Sequence, residues 1–399
     1  MLDYSDLGLQ LAWPLAMTLA WMAGELVYRW TALPRIAVYG LAGFVFGNLA
    51  AGYLPPSEAK NFMWLANLGF GLILFELGYR INLRWLKNNP WIVATSLLEA
   101  ICTFGVVYLV AWYFGMERLP AALTASLAMS SSPAGLLRVL NEQGASGQVT
   151  ERAMHLTALN CVMAVFTFNI VVGIGVFQTS GDLTHAAGSS LLVLVASSGL
   201  GALFGALVPL WLRIIDASRD GTLAFALAVV LLVAITSVLP LSPVLAALTF
   251  GLVARHRRVA FSQAQRNFGA LGELLTVLLF VFAASTLDWE KVAAGIWLAV
   301  AVVIARLLTK TAGVTAFAHL SGVSWRKGFL AGVALAPLSV FVILLLEHAR
   351  LAGVVVVEEL RSVAAVTMLL EIFGPIIIQR ALMWARETPD IRPENRHAA

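Results

Sequence analysis

The sequence predicts an all-α polytopic membrane protein of about thirteen transmembrane helices, built as an inverted repeat with two crossing broken helices. Three observations carry this. Of the 399 residues 60% are hydrophobic and 12% are charged, far from the usage of a soluble domain. Thirteen apolar runs approach the roughly 20 residues needed to cross hydrocarbon. Two of these runs are interrupted by proline and serine at matching places in the two halves of the chain.

In order, the runs fall at about 7–30, 34–54, 62–80, 90–114, 119–140, 151–178, 187–213, 221–239, 241–256, 268–286, 291–317, 326–347 and 358–383. They leave only short loops, so residues 1–384 read as one transmembrane domain. Repeat one spans about 7–178, a linker span covers 187–213, and repeat two spans about 221–383. A polar cytoplasmic tail, 385–399, follows. The first Lys or Arg is Arg29 and no small-residue cleavage site is present, so a cleaved signal peptide is not expected. Cys102 and Cys161 both fall inside predicted spans, which excludes a disulfide framework and assigns no metal. No dinucleotide glycine loop, phosphate-binding lysine loop, catalytic triad or zinc spacing occurs, so no cofactor and no enzyme activity are expected.

The net charge of +4 has a topological explanation, and no nucleic-acid partner is inferred from it. Threading the thirteen spans puts nineteen Lys and Arg residues on one side and five on the other, with Arg306 and Lys310 inside a span. Under the positive-inside rule the N-terminus is outside and the C-terminus is cytoplasmic.

The fifth span carries Ser130-Ser131-Ser132-Pro133 and the twelfth carries Ala336-Pro337-Leu338-Ser339. In lipid every backbone donor and acceptor needs an internal partner, so a broken helix is tolerated only where it lines a cavity or is buried in protein. Interruptions at corresponding places in two halves point to the binding site of a transporter. Half-helix ends meeting in mid-membrane need compensating groups. Arg306 and Lys310, one turn apart on the eleventh span, supply them, Lys310 either neutralising helix ends or carrying a proton. The pairs Gly43/Gly47 and Gly201/Gly205 have the spacing of close helix packing, within the chain or across a dimer.

Five stretches in sequence, ALPRIAVYGLAGFVFGNL (32–49), LGFGLILFELGYRINLRWL (68–86), MSSSPAGLLRVLNEQG (129–144), ARLLTKTAGVTAFAHLSGVSWRKGFLAG (305–332) and LEIFGPIIIQRAL (370–382), resemble the monovalent cation/proton antiporter superfamily, the sodium/proton exchanger fold. The resemblance implies a core of spans 4, 5, 6, 11, 12 and 13 moving against a dimerising panel. It also implies a homodimer in the bacterial inner membrane whose partners are a monovalent cation, protons and the lipid bilayer. Its sixth-span signature falls on Asn160 and Cys161, and there the chain departs from the pattern: the expected aspartate is a cysteine. A neutral thiol is a poor ligand for a hard cation. The membrane-embedded acids are Glu25, Glu76, Glu99, Glu273 and Glu371. Of these, Glu99 in span four and Glu371 in span thirteen fall in the implied core. The binding candidates are therefore Asn160, Cys161, Ser130, Ser131, Ser132, Thr157, Lys310, Arg306, Glu99 and Glu371, with Pro133 and Pro337 breaking the helices. Cation/proton antiport by alternating access is expected. The alternatives are an anion or organic-acid carrier on the same fold, or a membrane sensor that no longer transports.

Overall fold

A computed structural model describes residues 4–49, 56–180, 183–214, 221–239, 241–257, 268–285, 289–338, 342, 345 and 361–389. The described chain is helical: α1 (Tyr4–Thr31), α2 (Arg35–Phe44, continued by a π turn Val45–Leu49), α3 (Pro56–Arg80), α4 (Leu83–Asn88), α5 (Trp91–Tyr113), α6 (Arg118–Ala128), α7 (Pro133–Gln143), α8 (Gln148–Ser180), α9 (Leu183–Ile214), α10 (Gly221–Val238), α11 (Pro243–His256), α12 (Gly269–Ser285), α13 (Trp289–Ala316), α14 (Trp325–Ala334) and α15 (Arg361–Trp384). Among the described residues, stretches of α5, α8, α9, α10 and α13 are long and apolar enough to span a membrane by themselves. The apolar stretches in α2, α11 and α12 are shorter.

Local chemistry decides where helices stop. Pro14, Pro209 and Pro375 lie inside continuous helices, so proline alone does not break this chain. Pro133 differs because it occupies the first turn of α7, where its missing N–H costs nothing. Ser132 caps that turn, its Oγ accepting the Gly135 N–H at 3.0 Å. Ser242 and Pro243 start α11 in the same way. Gly144, at φ 57°, ends α7 in the left-handed conformation that favours glycine. The short α4, between the third and fourth apolar runs, has no counterpart among the predicted elements. It is capped by Asn82, which accepts from the Arg84 and Trp85 backbones.

The helices pack into two groups. One contains α5, α6, α7, α8, α13, α14 and α15; the other contains α1, α2, α3, α9, α10, α11 and α12. Close backbone approach holds the second group together. A Cβ on Gly43 would lie 2.4 Å from the Val281 carbonyl oxygen, and one on Gly47 would lie 2.6 Å from that of Ser285. A Cβ on Gly201 would lie 2.1 Å from the Ala246 oxygen. The glycine pairs therefore serve contacts within the chain.

The tail also differs from expectation at its start. Glu387 is buried, and its carboxylate accepts the Val149 and Thr150 N–H groups at 2.7 and 2.8 Å. It thereby caps the N-terminus of α8, where a negative charge complements the helix dipole.

Candidate functional site

Both interruptions are genuine, and they touch. Between α6 and α7 the chain is non-helical over Ser130–Ser132, and after α14 it leaves the helix at Leu335. The Ser132 N–H donates to the Pro337 carbonyl at 3.0 Å, and Ser131 Oγ donates to that of Leu335 at 3.2 Å. Ser339 and, apart from 342 and 345, the residues from there to 360 lie outside the described residues.

Arg306 holds the crossing. Its guanidinium is 1% exposed and donates to five carbonyls. Nε reaches Ala128 at 2.8 Å, Nη1 reaches Ala336, and Nη2 reaches Ser130, Leu335 at 3.3 Å and Pro337 at 3.1 Å. These acceptors are at and just beyond the C-terminal ends of α6 and α14. Helix ends orphan their last carbonyls and carry partial negative charge there, so one cation satisfies both.

One turn on, Lys310 does something else. Its Nζ lies 2.5 Å from Glu99 Oε1 and 2.9 Å from the Met129 carbonyl, and both side chains of the ion pair are 0% exposed. Glu99 comes from α5, 211 residues away in sequence. Thr103, one turn beyond Glu99, donates to its Oε1 at 3.3 Å and bonds Thr309 at 3.1 Å. Glu99 Oε2 is buried without a hydrogen-bond partner among the described residues. An acceptor left open beside a cation in a closed interior is costly, and groups in that condition concentrate where function needs them.

Close helix approach makes the pair possible. Gly313, one turn past Lys310, faces α5 so tightly that a Cβ there would lie 2.9 Å from Glu99 Cβ. Sequence reasoning did not single out Gly313, Ser96 or Thr103. The small-residue position after a buried lysine was the available signal for Gly313.

The sixth-span residues sit against the same crossing from α8. Asn160 accepts from Ser96 Oγ at 3.0 Å and donates to Ser131 Oγ at 3.3 Å. The Cys161 thiol, fully buried, donates to the Ser131 carbonyl at 3.4 Å. Ser130 Oγ is turned back onto the Leu127 carbonyl at 2.8 Å, and Ser132 is spent as the α7 cap. Thr157 is buried one turn before Cys161. Glu371 lies on α15, and its side chain is outside those described. Glu25 and Glu76 are engaged elsewhere, Glu25 with Arg29 and Arg35 and Glu76 with Arg80. Glu273 is exposed. The structure thus brings Glu99, Lys310, Arg306, Asn160, Cys161 and Ser131 to one crossing.

Comparison with known proteins agrees with this fold. A family model described as sodium/hydrogen exchanger, transmembrane, matches residues 15–384. The iron transporter MagA of Paramagnetospirillum magneticum is 27% identical over 361 residues, 86% of this chain and 79% of that protein. The low-affinity Na⁺/H⁺ antiporter NhaS1 of Synechocystis is 27% identical over 135 residues, 33% of this chain and 26% of that protein. Two structures of the sodium proton antiporter MjNhaP1 from Methanocaldococcus jannaschii superpose on nearly the whole chain. One gives a TM-score of 0.65 at 15% identity, covering 94% of this chain and 96% of that one. The other gives 0.70 at 16%, covering 97% of each.

Proposed function

The chain belongs to the sodium/hydrogen exchanger family, and we propose that it exchanges a monovalent cation, Na⁺ or K⁺, for protons by alternating access. The observation that carries this is the buried Glu99–Lys310 pair with Glu99 Oε2 left open at the helix crossing. A carboxylate offers the hard oxygen that an alkali cation needs and that Cys161 lacks. In this reading Glu99 takes the place of the absent sixth-span aspartate. The cation binds Glu99 as Lys310 releases its proton to the open face, and the return step reverses both. Asn160 and the Ser131 hydroxyl and carbonyl line the approach.

The carriage of an anion would require cationic side chains free at the crossing. Lys310 is paired with Glu99, and the Arg306 donors are taken up by backbone carbonyls, which favours the cation. We place the protein as a homodimer in the bacterial inner membrane, N-terminus outside, on the charge asymmetry of its loops and the family's habit.

The test is a flux screen in proteoliposomes under a set pH gradient, with Na⁺, K⁺, Li⁺, Fe²⁺ and anions added separately. Proton movement driven by an alkali cation, and lost in Glu99→Gln, is expected. Flux with anions or Fe²⁺ alone, or alkali-cation exchange undiminished in Glu99→Gln, would overturn the assignment.

A further inference from the structure

The two helix groups meet at one end of the molecule through long polar side chains; three of these sit on the last two turns of α7, beside the Gln379 amide of α15, which donates to the Ala32 carbonyl at 2.6 Å. Arg138 Nη2 crosses to α12, donating to the Gly272 carbonyl and to Thr276 Oγ1. Asn141 faces α3, accepting from Arg80 Nη2 at 2.5 Å and donating to Glu76 Oε1 at 3.1 Å, while Arg80 and Glu76 pair at 2.7 Å. Glu142 faces the start of α2, accepting the Arg35 N–H at 3.4 Å with the Arg35 guanidinium 3.9 Å away. A cavity of about 270 Å³, lined by Tyr39, Arg138, Glu142, Glu273 and Thr276 among others, lies in this seam. The end concerned is the arginine-rich one, where α7 finishes and α2 and α12 begin.

We propose that Arg138, Asn141 and Glu142 form a clasp that closes the arginine-rich face of the transport path by fastening the first broken helix to α2, α3 and α12. Three features support a clasp over ordinary packing. The fastening is by side chains across a cavity, which can part without opening an apolar core. Each contact joins a different helix of the second group to the same two turns of the first, so all three part together if α7 shifts. Those turns lead directly from Ser132, whose N–H is tied to Pro337; movement of α7 therefore moves the crossing. With the clasp fastened, Glu99, Cys161 and Lys310 are each 0% exposed. Arg138, Asn141 and Glu142 are positioning residues and do not touch the ion.

The inference takes its purpose from the exchange reading, but its first test does not need flux. The chain has two cysteines, Cys102 exposed and Cys161 buried at the crossing. In a Cys102→Ser background, Cys161 becomes the sole thiol. A membrane-impermeant methanethiosulfonate is applied to one face at a time, in inverted and right-side-out vesicles. Combining Arg138→Ala with Glu142→Gln shifts the population toward the state open on that face. Labelling of Cys161 from the arginine-rich face should then rise about tenfold or more, because loss of charge-assisted contacts weighs that heavily on a two-state balance. Labelling from the opposite face should fall. Equal rates for parent and variant, or a rise from the opposite face alone, would overturn the clasp. A second arm covers misfolding of that variant. Glu76→Cys and Asn141→Cys, on a background with Cys102→Ser and Cys161→Ser, are joined by a short bifunctional methanethiosulfonate. The joined protein should lose exchange and a reductant should restore it; exchange that continues with the link closed would overturn the proposal. Absence of flux in every vesicle, with labelling still responsive to the clasp, would remove the exchange reading and leave the clasp standing.

Discussion

Lys310 Nζ lies 2.5 Å from Glu99 Oε1, both side chains wholly buried and drawn from helices 211 residues apart. Removing one partner strands the other in a medium that solvates charge poorly. Lys310→Met should lower stability by about 3–5 kcal/mol, the usual cost of breaking a buried pair. The double variant Lys310→Met with Glu99→Leu should recover most of that. Thermal unfolding in detergent reads the difference, and a double variant less stable than Lys310→Met would contradict a mutually neutralising pair.

Charge balance makes a second prediction. In the proposed cycle the site is neutral as an ion pair, and neutral again with a cation on Glu99 and Lys310 deprotonated. An uncompensated buried charge is the costly alternative. Exchange should therefore run one cation per proton and should not respond to membrane voltage. Imposing a potassium diffusion potential across Na⁺-loaded vesicles checks this, and a rate that tracks the potential would count against the neutral cycle.

The Cys161 thiol bonds the Ser131 carbonyl and Lys310 bonds the Met129 carbonyl, two residues back on the same broken stretch. An acid at that position can therefore use the same lysine. Cys161→Asp should partly restore the cation-dependent proton flux lost in Glu99→Gln. A well-folded Glu99→Gln/Cys161→Asp protein that stays inert would indicate that position 161 does not face the ion path.

Arg306 bonds five carbonyls with a planar fork, and lysine cannot reproduce that geometry. Arg306→Lys should keep the charge yet lose most of the exchange rate. It should also lower stability by about 2–4 kcal/mol, with several carbonyls left unpaired. Wild-type flux and melting in Arg306→Lys would mean that charge alone holds the broken ends.

Gly43 packs on the α12 backbone, so Gly43→Ala must push two helices of one chain apart. Its melting temperature should fall while its oligomeric state in detergent, read by light scattering, stays unchanged. A shift from dimer to monomer without loss of stability would place Gly43 at an interface between chains.

Much of this architecture is legible in residue types. Span-length apolar runs, Ser-Pro pairs where a helix should continue, and two cations deep in one run each carry a cost that only a particular environment removes. Sequence marks Arg306 and Lys310 as needing partners, but not which cation goes where. Their division of labour depends on which side of α13 faces the α6 and α14 ends, a matter of helix rotation. The Glu99 partnership is hidden for a similar reason, since Gly313 decides how near α5 can come and its role is visible only against the neighbouring backbone. Pro133 marks the first break correctly, but Ser132 and Arg306 hold it open; the proline merely tolerates the position. Glu387, in a stretch that composition makes an ordinary polar tail, was illegible because its partners are the backbone N–H groups of α8.

One guanidinium fastens the ends of both broken helices. A pore needs the two halves of its wall to part independently, so that water and ions can thread straight through. Here a shift of the first half-helix end drags the second with it, because each would otherwise surrender its bonds to Arg306. On the exchange reading the crossing tips toward either face as one body, since neither half can loosen while the other stays put. On that reading, a single side chain opposes slippage of ions down their gradient without a returning proton.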